Sequence, residues 1–251
     1  MSMKRRNLYV AGLVTGLAGV MMAPSLFAYN GLDGTITFGA STYQYGDGGE
    51  FNAVTTGLGS FATFCLETSE YIGQPPSGPY TYTINTGAVP GDAGASATDP
   101  NTGLPMDNIS IGTAWLYSQF RVGTLTLDTG TGSYFDGNRL ANAGELQNAI
   151  WYLEDEGGQN NGYVALAETA LGGITDTQVK ADSNGAYGVV ALDLFNMDGS
   201  LAQDQLAMVS VSYTVIPEPS TVALIALGVG ALRLALRRRC PEEESGRLQI
   251  G

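Results

Sequence analysis

Histidine does not occur anywhere in the 251 residues. Its absence removes the usual general base, the Ser-His-Asp and Cys-His arrangements, and the commonest transition-metal ligand. Positive charge is almost as scarce where a fold could use it. Of eleven lysines and arginines, Lys4, Arg5 and Arg6 lie at the front and Arg233, Arg237, Arg238, Arg239 and Arg247 at the back. Residues 29–216 keep Arg121, Arg139 and Lys180 against twenty acidic residues, which leaves that stretch seventeen charges negative. So acidic a surface repels phosphate backbones, and nucleic acid is excluded as a partner. Paired carboxylates stay chemically possible at Glu154-Asp155-Glu156, but consecutive residues on a helix diverge. The run is expected to be a solvated helix end.

Both ends read as processing segments. Lys4-Arg5-Arg6, the apolar stretch Leu8 to Met22 and the small-residue site Leu26-Phe27-Ala28 make residues 1–28 a secretory signal peptide. At the other end Pro217-Glu218-Pro219 precedes Val222 to Leu236, apolar apart from Arg233, and then Arg237-Arg238-Arg239. The prolines break the last strand, the apolar run forms a helix of marginal spanning length, and the arginines stop it on the cytoplasmic side. Residues 217–239 are therefore expected to form a tail with a membrane segment, and 240–251 a short cytoplasmic extension.

Between the ends, 188 residues are enough for a hydrophobic core without disulfides. Alternating pieces such as Gly34 to Phe38 and Tyr80 to Ile84 predict short antiparallel strands, and Gly87 to Pro105 a long mobile loop. Helical periodicity appears at Ile111 to Phe120, at Leu140 to Glu154 with Leu146, Ile150 and Leu153 in one buried stripe, and at Tyr163 to Leu171. Strand-like runs return at Tyr187 to Leu192 and Leu206 to Val211. The fold class expected for 29–216 is β-rich α+β, a single domain of mainly antiparallel strands, sandwich or barrel-like, with a few short helices.

Two cysteines exist, and Cys240 lies beyond the tail arginines, so Cys65 has no partner in the exported stretch. A lone exported cysteine points to a free reactive thiol, an intermolecular bond or other chemistry. It sits in Phe64-Cys65-Leu66-Glu67, a strand-like run. On the second helix Gln147 falls between the directions of Ile150 and Trp151, at the border of the buried stripe, where a half-buried amide needs a partner. By themselves the two read as a small buried hydrophobe and a boundary amide. The loops 128–138 and 196–204 offer oxygen ligands for calcium but lack the regular spacing of a calcium loop, and no metal or cofactor is assigned.

Two resemblances carry the functional expectation. Pro217-Glu218-Pro219, one apolar segment and the arginine cluster resemble the PEP-CTERM sorting signal. That resemblance implies a Gram-negative exosortase that removes the tail, an inner-membrane-anchored intermediate held transiently by the C-terminal helix, and delivery to the cell surface or extracellular matrix. Phe64-Cys65-Leu66-Glu67 with Gln147-Asn148-Ala149-Ile150-Trp151 resembles the internal thioester domains of bacterial surface adhesins, with Leu146 where many have threonine. This implies a bond between Cys65 and Gln147, in a pocket walled by Phe64, Ile150 and Trp151, that attaches the protein to amines or hydroxyls of a protein or polysaccharide. Such a bond is used once, so the chain is not an enzyme. The competing expectation is a non-reactive structural or carbohydrate-binding module of the polysaccharide matrix. Thiolate formation would need a local cation, for which Arg121 and Arg139 are the candidates.

Overall fold

The structure, a computed structural model, describes residues 34–89, 95, 97–99 and 103–209. The chain divides after Ser210 into two units, and the described residues belong to the first. The expected signal peptide, the sorting tail with its arginines and the cytoplasmic extension lie outside the described residues. Among the described residues no helix is long and apolar enough to cross a membrane.

The strands are β1 (Gly34–Gly39), β2 (Gln44–Tyr45), β3 (Gly48–Gly49), β4 (Phe51–Thr55), β5 (Gly59–Thr63), β6 (Ser77–Asn85), β7 (Gly87–Ala88), β8 (Ala97–Thr98), β9 (Pro105–Asn108), β10 (Val189–Phe195) and β11 (Leu201–Met208). Four helices, α1 (Ile111–Val122), α2 (Arg139–Leu153), α3 (Gly162–Ala170) and α4 (Asp176–Val179), separate β9 from β10. Six strands form an antiparallel sheet in the order β11-β10-β6-β1-β4-β5. The expected β-rich α+β architecture is what the structure shows.

Period-two patterning explains the sheet. In β4, Phe51, Ala53 and Thr55 are buried and Asn52 and Val54 exposed; in β6, Tyr80, Tyr82 and Ile84 are buried. These side chains meet Ile36, Phe38, Leu192 and Leu194 in one apolar cluster. A second cluster joins the helices to Val189, Ala191 and Leu206. Strand β10 is buried along nearly its whole length because it serves both clusters with alternate residues.

The sheet curls until its ends meet. Just past β5, the Leu66 N–H donates to the Asp204 carbonyl at 3.0 Å and the Leu206 N–H to the Phe64 carbonyl at 3.1 Å. Cys65 thus faces Gln205 across an antiparallel bridge, and the residue chosen from sequence for its chemistry sits on the seam that closes the barrel-like sheet.

Helix positions follow the sequence closely. Ser110 caps α1 by accepting from the Thr113 N–H at 3.1 Å, and Gly123 ends it in the left-handed conformation, φ 78°. Leu146, Ile150 and Leu153 of α2 are buried, as the stripe predicts. Two local readings change. Tyr187 and Gly188 belong to a short 3-10 turn rather than to a strand, because Tyr187 takes a left-handed φ of 58°. Glu154 is not solvated: it is 7 % exposed, and its carboxylate accepts from the Ser110 hydroxyl at 2.7 Å and the Ser110 N–H at 3.2 Å. The helix end lies against α1, so only Asp155 and Glu156 reach solvent. Of the loop expected to be mobile, the described part contains β7 and β8, both paired with β9, and a buried Asp99; the rest lies outside the described residues.

Candidate functional site

Cys65 and Gln147, 82 residues apart, are brought into direct contact. Because the seam spends the Leu66 N–H and the Phe64 carbonyl on β11, the N–H and C=O of Cys65 point the other way. There the carboxamide of Gln147 takes the place of a neighbouring strand. The Cys65 N–H donates to Gln147 Oε1 at 3.1 Å, and Gln147 Nε2 donates to the Cys65 carbonyl at 2.8 Å. Both residues are 1 % exposed.

Helix α2 delivers the glutamine, and the small hairpin of β2 and β3 presses on it. A Cβ on Gly48 would lie 2.5 Å from Gln147 Cγ and 2.8 Å from Trp151 Cη2, and one on Gly144 would lie 2.6 Å from the Tyr45 ring. Two glycines therefore allow the hairpin and the helix to approach closely enough to fix the amide. Neither was singled out from sequence, since a glycine's role as a contact surface has no local signature.

The sulfur has a different neighbour from the one expected. Gln205 Nε2 donates to Cys65 Sγ at 3.4 Å, while Gln205 Oε1 is buried without a donor. Burial pushes the Cys65 thiol up to about 12, and the Gln205 contact offsets this only partly. Desolvation, rather than an acidic surface, is the main obstacle to a thiolate. Neither candidate cation relieves it. Arg139 makes two bonds to the buried Glu50, at 2.8 and 2.7 Å, and Arg121 donates to the Tyr117 hydroxyl at 3.1 Å and lies over the Phe61 ring.

The expected pocket walls divide between the two clusters. Phe64 and Ile150 pack in the helix-side core, with Phe64 edge-on to Tyr117 and Phe120. Adjacent strand residues point to opposite faces, so Phe64 turns away from the side taken by Cys65. Trp151 is half-buried and shares the cluster of Cys65. A small pocket does reach Cys65; it is lined by Gln44, Asp47, Phe51, Tyr71 and Gln203. Gln203 and Gln205 lie two apart on β11, which starts at Leu201, whereas the sequence pattern puts Gln203 in the loop 196–204 and begins the strand at Leu206, so nothing in it flags either as a neighbour of the sulfur.

Residues 215–239 match the PEP-CTERM protein-sorting motif. The motif implies an exported, surface or matrix-associated protein that passes through a membrane-anchored intermediate and is processed by an exosortase. The match covers the tail alone and does not bear on Cys65 or Gln147. No curated protein and no solved structure matches the chain.

Proposed function

We propose that the exported domain forms an internal thioester between Cys65 and Gln147 and uses it once, to bond covalently to an amine or hydroxyl on a partner protein or polysaccharide at the cell surface or in the matrix. The observation that supports this reading is the reciprocal pairing of the Gln147 amide with the Cys65 backbone at 3.1 and 2.8 Å. It holds the amide carbonyl beside the only cysteine of the described residues. In the reaction the Cys65 sulfur attacks Gln147 Cδ, the C–N bond breaks, and the thiol proton leaves with ammonia. The Cys65 N–H, already on Oε1, is placed to stabilise the negative charge that develops there. Proximity replaces a base, consistent with a slow, single event by a thiol held near 12. Burial would then protect the ester from water, and the pocket past Asp47 and Tyr71 would admit the partner nucleophile. Phe64 and Ile150 contribute by stiffening the strand and helix that carry the reacting pair.

A second reading has its own support. The same two hydrogen bonds satisfy a buried strand edge, so Gln147 serves equally as a structural partner in a non-reactive matrix or carbohydrate-binding module. Intact mass separates the two. A thioester makes the domain about 17 Da lighter than its sequence, hides the thiol, and lets methylamine restore the thiol while adding to Gln147. Cys65→Ala and Gln147→Ala should lose both the deficit and the adduct. Full mass with a thiol that titrates on unfolding refutes the thioester and leaves the structural module.

A further inference from the structure

The strand that closes the sheet also places a second amide beside the sulfur. Cys65 and Gln205 oppose each other across the seam, with its hydrogen bonds on either side of them, from the Leu66 N–H to the Asp204 carbonyl at 3.0 Å and from the Leu206 N–H to the Phe64 carbonyl at 3.1 Å. Residues opposed without bonding each other's backbone are the closer kind of antiparallel pair, and their side chains stand on the same face. Strand register therefore delivers the Gln205 side chain to the sulfur. Its Nε2 donates to Cys65 Sγ at 3.4 Å and to the Gln203 carbonyl at 3.3 Å, and the second bond steadies the carboxamide for the first. Gln205 is fully buried.

The two glutamines at Cys65 are used differently. Gln147 commits both ends of its amide to the Cys65 backbone, which is what satisfying a strand edge requires. Gln205 commits its N–H end to the sulfur and leaves Oε1 buried without a donor. Packing alone does not call for a glutamine there, since an apolar residue of similar size would fill the space without burying an unsatisfied oxygen. What the position gains is an N–H on the sulfur. Burial pushes the Cys65 thiol up to about 12, and the Gln205 hydrogen bond works against that rise.

We propose that Gln205 stabilises negative charge on the Cys65 sulfur, both when the thioester forms and when it is consumed. The role rests on the thioester reading above. In formation the sulfur attacks Gln147 Cδ, the C–N bond breaks and the thiol proton leaves with ammonia; the Gln205 N–H favours the ionised sulfur that makes the attack. In consumption a partner amine attacks the same carbon, the C–S bond breaks with its electron pair going to sulfur, and the proton lost by the amine ends on the thiol. The same N–H then meets the charge of the leaving group. The Cys65 N–H serves the carbonyl oxygen and Gln205 Nε2 the sulfur, so each atom that takes up charge faces one donor.

The test uses the full-length chain, purified in detergent, with Gln205→Met, which keeps the length of the side chain and removes the donor. Methylamine should open the wild-type thioester, followed by intact mass, and should open that of Gln205→Met roughly tenfold or more slowly. The direction of the change separates charge stabilisation from structural support, because a variant that merely loosened the seam would expose the ester and open faster. A second arm keeps the thioester out. In Gln147→Ala the sulfur stays a thiol, and its alkylation by iodoacetamide, read at Cys65 by peptide mass to set Cys240 aside, should move to higher pH by about one unit when Gln205→Met is added. This arm decides the outcome if Gln205→Met accumulates no thioester. Methylamine opening as fast as in wild type, or an alkylation profile that stays in place or moves to lower pH, overturns the role of Gln205 and leaves the thioester standing. A wild-type chain of full sequence mass removes the thioester and this role with it.

Discussion

Replacing Gly48 by alanine adds one methyl at the point where the hairpin rests on the glutamine. The new Cβ would lie 2.5 Å from Gln147 Cγ, 2.8 Å from Trp151 Cη2 and 3.1 Å from Gln147 Cδ. Carbon atoms at rest stand about 3.5–4.0 Å apart, so the shortfall is about 1 Å. Gly48 does not have a positive φ, and the substitution therefore acts through space rather than through backbone strain. Either the hairpin lifts from α2 or the carboxamide swings out and breaks its two bonds to Cys65, each contributing about 1 kcal/mol. A cost near 2 kcal/mol follows, within the roughly 1–3 kcal/mol of an overpacked core. At roughly 2–4 °C per kcal/mol for a domain of this size, the melting temperature should fall by about 4–8 °C by calorimetry or circular dichroism. Gly39→Ala is the control, since its Cβ would have only the Asn52 carbonyl at 4.0 Å. If the thioester forms, Gly48→Ala should also delay or abolish the mass deficit. Should Gly48→Ala melt with Gly39→Ala and lose no mass deficit, the hairpin does not hold Gln147 in place.

Burial raises the Glu154 carboxyl from 4.5 to about 7, Ser110 and Thr113 offsetting part of this and Asp107 adding to it. Its proton is thus bound more tightly in the folded state, so this residue's stabilising contribution is complete below pH 4.5 and is lost as pH rises through 7. At about 1.4 kcal/mol per pH unit the change is about 3–4 kcal/mol, and Glu154→Gln should flatten that part of a stability-against-pH curve measured by urea titration. A slope unchanged in the variant would place the titration elsewhere. Trp151→Ala should cost less than the roughly 3–5 kcal/mol of a fully enclosed ring, because Trp151 is only half-buried; a thermal melt lowered by the full amount would contradict that placement. Deleting 217–239 should release the domain unprocessed into the medium, and fractionation identical to the full-length chain would refute the tail's sorting role.

The elements were legible in the sequence because their signals are local. Alternation in Gly34 to Phe38 and in Tyr80 to Ile84, and the stripe of Leu146, Ile150 and Leu153, each depend on residues within a turn or two. The tail motif is legible for the same reason. Cys65 and Gln147 could be paired only by resemblance, and their contact is a tertiary fact: it arises because closing the sheet at Gln205 turns the Cys65 backbone toward α2. The wall residues illustrate the limit. Phe64, Ile150 and Trp151 are near the reacting pair in sequence, yet strand alternation sends Phe64 to the helix-side core and leaves the surroundings of the sulfur to Gln205, Phe51 and Gln203. Glu154 read as solvent-facing because its neighbours are charged, and only the packing of α2 against Ser110 buries it. The grouping of Glu67, Glu70 and Asp204 is the furthest from sequence reasoning. Composition alone fixed that the domain is acidic and poor in cations, whereas which acids share one buried space was decided by strand register, since register brings distant residues within a few ångströms and leaves no trace in local pattern.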